Sequence, residues 1–187
     1  MGTTIPRKRI DVLLQVVAAV RAVDPRVRLL KAGGRLTEDQ RQLAQHLGIE
    51  HAIVELPFLD TEQLAALYRR AAAVLVTSDR EGFGLPVAEA MACGTPVVAT
   101  DLPVLREVAG PAGVYCPVGD ISAWREGVLQ ILAERNNPHA RIERRTAGFD
   151  HARPYTWSAY ASAMRRIYEQ VSLIAHAHET EGRKVAV

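Results

Sequence analysis

The chain has 187 residues, a net charge of +2 and 48% hydrophobic residues. This length fits one domain that buries roughly 70% of its unfolded surface, and the composition excludes a largely disordered protein. The charge is too balanced to favour a nucleic acid as the partner. Two cysteines without CxxC spacing, Cys93 and Cys116, indicate a reducing compartment and no structural metal.

The apolar pattern alternates between helical and strand periods along the chain. Helices are expected at 10–23, 37–47, 60–70, 85–93, 102–109, 122–134, 138–148 and about 155–175. Strands are expected at 27–32, 52–56, 73–77, 96–100 and 113–116. Short, continuously apolar strands between helices predict an α/β fold, a Rossmann-like, doubly wound parallel sheet of about six strands with helices on both faces.

We expect one domain over residues 1–175 and a flexible tail over 176–187. No apolar run approaches the roughly 20 residues that span a bilayer. The first residues do not have the pattern of a signal peptide. These features predict a cytoplasmic protein, and a peripheral membrane association of a full enzyme is left open.

The most informative stretch is EGFGLPVAEAMACGTPVVATD, residues 81–101. A glycine-rich loop at 81–84 is expected to lead into a helix that Gly94 ends. The two loop glycines allow close approach of a ligand, and the start of a helix favours phosphate. Glu89 can reach the same opening, where its carboxylate suits a ribose diol. The alternative is a capped helix with a solvated glutamate.

The E-x7-E spacing, with GFG inside it and EAMACGTPVVATD after it, resembles the signature of the retaining glycosyltransferases of family 4 (group 1). Those enzymes have the two-domain GT-B architecture, and their signature lies in the C-terminal half, which binds the nucleotide sugar. The resemblance extends from MGTTIPRK to the YTW segment. It implies that residues 1–175 form the nucleotide-sugar-binding domain of a hexosyltransferase, with a UDP- or GDP-linked sugar as substrate and no cofactor.

The resemblance also implies roles for the residues of the loop. Glu89 matches the glutamate that holds the ribose hydroxyls. Glu81 matches the glutamate near the donor sugar, where it steadies hydroxyl groups or a developing positive charge. Backbone N–H groups are expected to hold the diphosphate and to stabilise its charge as it departs; they belong to the stretch Gly82, Phe83, Gly84 and Leu85.

Lys8 matches the family's lysine that meets the diphosphate, and the resemblance implies a catalytic role for it. A lysine can stabilise the leaving group without a metal. No Asp-x-Asp sequence occurs, and the six histidines show no metal-ligand spacing. Many relatives carry an arginine shortly after the glycine that matches Gly2, but Thr3 stands there. Either Arg7 or Arg9 substitutes, or Lys8 and the loop act alone. The alternative for Lys8 is a solvated basic loop.

Three further residues are weaker candidates for the donor site. Ser78 precedes the signature and is expected either to donate to a phosphate or to cap a turn. Pro57 and Phe58 follow a predicted strand where relatives contact the base. They are expected to line a base pocket, with packing as the alternative for Phe58.

In GT-B enzymes the acceptor site belongs to an N-terminal domain. We therefore expect a truncated chain, a short reading frame or half of a split enzyme, inactive without that domain. The helix at 155–175 is expected to expose an apolar face that invites self-association. Two alternatives stay open: a nucleotide-binding or regulatory module without catalysis, and a structural domain that kept the signature for folding.

Overall fold

A computed structural model describes residues 5–184, and of residues 174–184 it describes the backbone alone. The strands of this part are β1 Leu29–Ala32, β2 Ile53–Leu56, β3 Val74–Val76, β4 Val97–Thr100 and β5 Val114–Cys116. The α-helices are α1 Ile10–Arg21, α2 Glu38–His46, α3 Thr61–Arg70, α4 Leu85–Ala92, α5 Pro103–Ala109, α6 Ile121–Ala133, α7 Pro138–Ala152 and α8 Trp157–Lys184. Short 3-10 turns lie at Pro6–Lys8, Glu50–Ala52, Gly110–Ala112 and Glu134–Asn136.

The strands confirm the predicted parallel α/β class but correct the predicted sheet. Residues 5–184 contain five strands rather than about six, and these form two parallel groups, β1–β2 and β3–β4–β5. The inner edges of β1 and β3 are not paired with each other, because a groove lies between them. Each strand nevertheless alternates with a helix, as in a doubly wound fold.

Helix α1 contributes buried side chains from two of its faces to two hydrophobic core clusters. One stripe packs with Trp124 of α6 and with Val98 of β4. The other packs with Ala44 of α2 and with Ile49. On the other side of the strands, α4 contacts α3, α5 and α7. Burying helices on both faces of the strands explains why the strands read as continuously apolar.

Side chains cap three of the helix starts. Thr37 and Gln40 form a reciprocal capping box at α2, and Asp60 forms the same arrangement with Gln63 at α3. The Asp120 side chain accepts a hydrogen bond from the Ala123 N–H at α6. These local bonds fix the helix starts because they satisfy N–H groups that have no partner within the helix.

The chain divides into a larger unit that ends at Ala152 and a smaller one that begins at Arg153. Helix α7 runs to Ala152, beyond its expected end at 148, and α8 runs to Lys184 rather than to about 175. Five of the nine residues at 176–184 are Ala, Glu, Arg or Lys, which favour helix. Within the described residues, no helix combines the length and the apolar character that a membrane span requires.

Candidate functional site

The glycine loop, residues 81–84, lies between β3 and α4 and leads straight into that helix. Gly84 caps α4 in a left-handed conformation, with φ at 95°, and Pro86 lies in the first turn. Gly94 follows the helix with φ at 72°. Both glycines therefore occupy a backbone region that other residues rarely adopt. The predicted loop–helix boundary at Gly84 is confirmed.

The side chain of Leu105 leaves no room for a Cβ atom at position 84. A Cβ atom at this position would lie 2.7 Å from Leu105 Cδ2, below any normal contact distance. At Gly82, by contrast, a Cβ would meet no atom within 4 Å. The loop backbone thus packs directly on α5 at Gly84, which fixes where the N-terminus of α4 points.

The basic segment near the start of the chain is fastened to the end of β3. The Thr77 hydroxyl donates to the Lys8 and Arg9 carbonyl oxygens, at 3.0 and 3.2 Å. The Asp79 N–H donates to the Arg7 carbonyl oxygen at 2.9 Å. These bonds bring residues distant in sequence to the carboxyl end of β3, where doubly wound folds bind ligands.

Three donors converge there on the Glu81 carboxylate. Lys8 Nζ lies 2.5 Å from Oε1, and Arg7 Nη1 lies 2.9 Å from Oε2. The Ser78 hydroxyl donates to Oε1 at 2.7 Å. The Glu81 side chain is only 7% exposed, so this carboxylate is held by two cations away from bulk water. Sequence placed Glu81, Lys8 and Ser78 in one site, and the structure brings all three into contact.

The surroundings of Glu81 determine its ionisation. Burial by itself would raise the pKa of this carboxyl group, but the hydrogen bonds from Lys8, Ser78 and Arg7 outweigh it, and the pKa lies below its ordinary value. Glu81 is therefore a fixed anion at neutral pH. With two cations against one carboxylate, this cluster keeps a net positive charge beside the positive end of the α4 dipole.

Glu89 lies on the exposed side of α4, one turn from the loop. Its Oε2 accepts a hydrogen bond of 2.8 Å from the hydroxyl of Tyr68 in α3, a side chain that is 3% exposed. Burial and this bond to a carboxylate both raise the pKa of Tyr68, so its proton stays in place. The Glu89 carboxylate is thus oriented but still reachable by a ligand.

Tyr68 was not predicted from sequence as a site residue. No signal in the sequence identifies it, because its burial within α3 is visible only in the structure, where a buried tyrosine hydroxyl needs a partner. Arg7 was one of two predicted substitutes for the missing arginine, and it is the one at Glu81. Arg9 pairs with Asp11 instead, at 2.8 Å.

The structure describes the other predicted residues only in part. Pro57 and Phe58 follow β2, which belongs to the β1–β2 group and not to the group that contains β3. The Phe58 side chain is 73% exposed, so it is not a packing residue. In the loop, Phe83 and Leu85 are partly exposed. Gly2 and Thr3 lie outside the described residues. Residues 5–173 contain no group of three or more potential metal-ligating side chains.

Comparison with known proteins agrees with this geometry. The family model described as Glycosyl transferases group 1 matches residues 1–147. The chain is 36% identical to a phosphatidyl-myo-inositol mannosyltransferase of Mycobacterium leprae, over 97% of this chain and 46% of that protein. It spans less than half the length of the curated relatives it matches.

Two solved structures illustrate the similarity of fold. Sucrose-phosphate synthase from Thermosynechococcus elongatus superposes with a TM-score of 0.78 at 29% identity, over 91% of this chain and 44% of that one. A point mutant of S. aureus TarM, in complex with fondaparinux, alpha-GlcNAc-glycerol and UDP, gives a TM-score of 0.75 at 22% identity, over 89% and 34%. The second similarity concerns the fold alone.

Proposed function

Because this chain belongs to the glycosyl transferases of group 1, we propose that it binds the sugar nucleotide in a retaining, metal-independent hexosyltransferase. The observation that carries the proposal is the cluster before the α4 N-terminus, where Lys8 and Arg7 hold Glu81, with the exposed Glu89 on the same helix α4. These groups match the three parts of the donor: the cations match the diphosphate, Glu81 the sugar and Glu89 the ribose.

The diphosphate is the part of the donor that the positive charge suits. Lys8 and Arg7 lie beside the loop whose backbone starts α4, and the first N–H groups of a helix point away from it without intrahelical partners. These donors are fixed before the ligand arrives, so they stabilise the charge that develops on the leaving diphosphate. The Ser78 hydroxyl donates to Glu81, and we propose that it orients this carboxylate.

The two carboxylates divide the remaining tasks. Glu81 is ionised and buried, which suits it to steady the donor sugar or a developing positive charge at the anomeric carbon. Glu89 is exposed and oriented by Tyr68, which suits it to accept hydrogen bonds from both ribose hydroxyls. We assign the base to the surface near Pro57 and Phe58, where an exposed aromatic ring is available for stacking.

We propose that the acceptor site and part of the catalytic machinery belong to a second domain. The relatives are more than twice as long as the matched part, which supports a division of labour. Helix α8 exposes apolar side chains, and we propose that it associates with that domain or with a second copy; they include Trp157, Tyr160, Tyr168 and Leu173.

Calorimetric titration tests the proposal. UDP, GDP and ADP, each alone and as a sugar conjugate, are added to the wild type, to Glu89→Ala and to a control, Glu126→Ala, which removes an exposed helical glutamate elsewhere. One nucleotide should bind selectively, about tenfold more weakly to Glu89→Ala and unchanged to the control. Failure of all three to bind a folded protein would overturn it.

The absence of a metal requirement needs its own titration. The same measurement with excess EDTA, and again with added Mg²⁺ or Mn²⁺, should give one affinity for the selected nucleotide. Lys8→Met should lower that affinity in all three buffers, because the lysine charge takes the place of the metal. Binding that depends on Mg²⁺ or Mn²⁺ would contradict the metal-independent part of the proposal.

A further inference from the structure

A lysine side chain is buried near the carboxyl end of β1. Lys31 is only 6% exposed, on a strand whose other residues are Leu and Ala. Its ammonium group donates to the Gly34 carbonyl oxygen, and the Gly33 carbonyl oxygen lies 3.5 Å from Nζ. Burial lowers the pKa of this ammonium group, and the charge of Glu55 opposes that effect. A buried cation is costly and an apolar residue would pack there at less cost, so core stability does not explain the lysine.

Glu55 holds the same loop from the neighbouring strand. It is the register partner of Lys31 in the parallel β1–β2 pair, so the two side chains lie on one face of these strands. Glu55 Oε2 accepts a hydrogen bond of 2.7 Å from the Leu36 N–H. Lys31 therefore holds the start of the β1–α2 loop, residues 33–36, by its carbonyl oxygens, and Glu55 holds the end of that loop by an N–H group.

The β1–α2 loop is also joined to the surface that we assign to the base. The Gly33 N–H donates to the Pro57 carbonyl oxygen at 3.3 Å, which connects the loop to the residues after β2. Both segments lie at the carboxyl ends of their strands, where doubly wound folds bind ligands. Among the residues that the structure describes, none accepts a hydrogen bond from the Gly34 or Arg35 N–H group, and Arg35 is exposed.

We propose that Lys31 is a positioning residue for recognition of the nucleotide base, and that it acts through the β1–α2 loop. This inference rests on the function proposed above. Lys31 itself does not touch the nucleotide. It holds the loop so that the N–H groups of Gly34 and Arg35 stay available to the edge of a base bound against Phe58. Base edges carry carbonyl oxygen and ring nitrogen acceptors, which suit backbone N–H donors and a guanidinium group.

The loop needs such a clamp because its own sequence does not fix it. Gly33 has φ at 90°, and a Cβ atom at Gly34 would meet nothing within 4 Å. Two adjacent glycines permit many backbone conformations, and a loop that has to be ordered on binding lowers the affinity for its ligand. The charge-assisted bonds from Lys31 and Glu55 order the loop before the ligand arrives. This advance order is what the buried lysine charge provides.

Variants at the two ends of the clamp test the proposal. Lys31→Met keeps the length and the apolar stem of the side chain but removes its charge. Glu55→Ala removes the second contact from an exposed position, so it does not depend on how well a buried variant folds. Glu50→Ala is the matched control, an exposed glutamate before the amino end of β2. Calorimetry of the single and double variants measures affinity for inorganic pyrophosphate and for whichever of UDP, GDP and ADP the wild type selects, and urea denaturation measures stability.

Lys31→Met should weaken binding of the selected nucleotide by about tenfold and Glu55→Ala by roughly three- to tenfold, with the affinity for pyrophosphate unchanged. The double variant should lose less than the product of the two single losses, because both residues act through one loop. Glu50→Ala should bind like the wild type.

Three results would overturn the inference while the proposed function stands. They are wild-type nucleotide affinity in a folded Lys31→Met or Glu55→Ala, an equal loss of affinity for pyrophosphate, and single losses that multiply in the double variant. A lysine with a merely structural role would change the free energy of unfolding and leave the nucleotide affinity as it is. A folded wild type that binds none of the three nucleotides would overturn the inference and the proposed function together.

Discussion

The hydroxyl of Tyr68 donates a hydrogen bond to Glu89 Oε2 at 2.8 Å, from a side chain that is almost wholly buried. The backbone of Tyr68 is fixed as well, since its carbonyl oxygen accepts from the Thr95 hydroxyl at 2.6 Å. An exposed glutamate normally samples several rotamers. Here a rigid phenol on a neighbouring helix restricts it, which prepares the carboxylate for a diol.

Tyr68→Phe should therefore lower affinity for a ribonucleoside diphosphate by roughly three- to tenfold, because a free Glu89 has to be ordered on binding. The free energy of unfolding should fall by only about 0.5–1.5 kcal/mol, the usual net value of one hydrogen bond. Calorimetry and urea denaturation measure the two effects. Inorganic pyrophosphate is the control ligand, and its affinity should be unchanged; an equal loss for pyrophosphate would show that Tyr68 does not act through Glu89.

Gly84→Ala should destabilise the fold by about 1–3 kcal/mol, because the residue would need a left-handed conformation and its Cβ would meet Leu105. Gly82→Ala is the matched variant in the same loop, with open space around its Cβ. Urea denaturation of both should show a change within about 0.5 kcal/mol for Gly82→Ala. Similar losses at the two positions would mean that the Leu105 contact does not fix the loop.

Glu81→Gln should lower the free energy of unfolding by about 1.5–3 kcal/mol at pH 7, since charge-assisted hydrogen bonds to Lys8 and Arg7 are lost. The pKa of Glu81 in the folded protein lies below its ordinary value of 4.5. The stabilisation by its carboxylate is therefore complete above that ordinary value and is lost as pH falls through the folded pKa.

Urea denaturation of wild type and Glu81→Gln at several pH values from 7 down to about 3.5 measures this dependence. The difference between the two proteins should be constant near neutral pH and should narrow in acid. Comparing two variants at each pH cancels the titration of other groups. A difference that grows as pH falls would contradict the assigned ion cluster.

Thr77→Val should release the basic segment from β3, because valine keeps the shape of threonine but cannot donate to the Lys8 and Arg9 carbonyl oxygens. Binding of both pyrophosphate and the nucleotide should weaken by roughly three- to tenfold, at a stability cost of about 1 kcal/mol. Thr100→Val, which removes a hydroxyl donating to the Val76 carbonyl oxygen inside the sheet, is the control. Thr100→Val should lower the free energy of unfolding by a similar amount and leave the affinities for pyrophosphate and the nucleotide unchanged.

Local sequence signals predicted most of the fold because they act within a few residues. The Thr37, Asp60 and Asp120 caps and the glycine turn at Gly84 follow from hydrogen bonds and backbone sterics that the sequence states directly. The strands were equally clear from their apolar runs. The grouping of the strands could not be predicted, because the pairing of β1 with β2 and of β3 with β4 depends on contacts between distant residues.

The candidate site divides in the same way. Glu81, Glu89 and the loop glycines lie within nine residues of sequence and were predicted together. Tyr68 joins them only through tertiary packing, and nothing near it in the sequence indicates Glu89 as its partner. Arg7 was predicted as one of two alternatives, and only the folded chain shows that it, and not Arg9, reaches Glu81. The packing alternative for Phe58 is wrong, since its ring is exposed. The side chain of a residue after a strand end is not constrained by the sheet.

The central claim is that a nucleoside diphosphate binds where β3 meets α4. Titration of the ¹⁵N-labelled chain with UDP and with GDP, followed by amide chemical shifts, tests it most directly. We predict saturable shifts for one of the two ligands, largest at Ser78, at the loop residues 82–85 and at Glu89. Absence of shifts in the folded protein, or shifts confined to the groove residues Leu30 and Leu75, would contradict the claim.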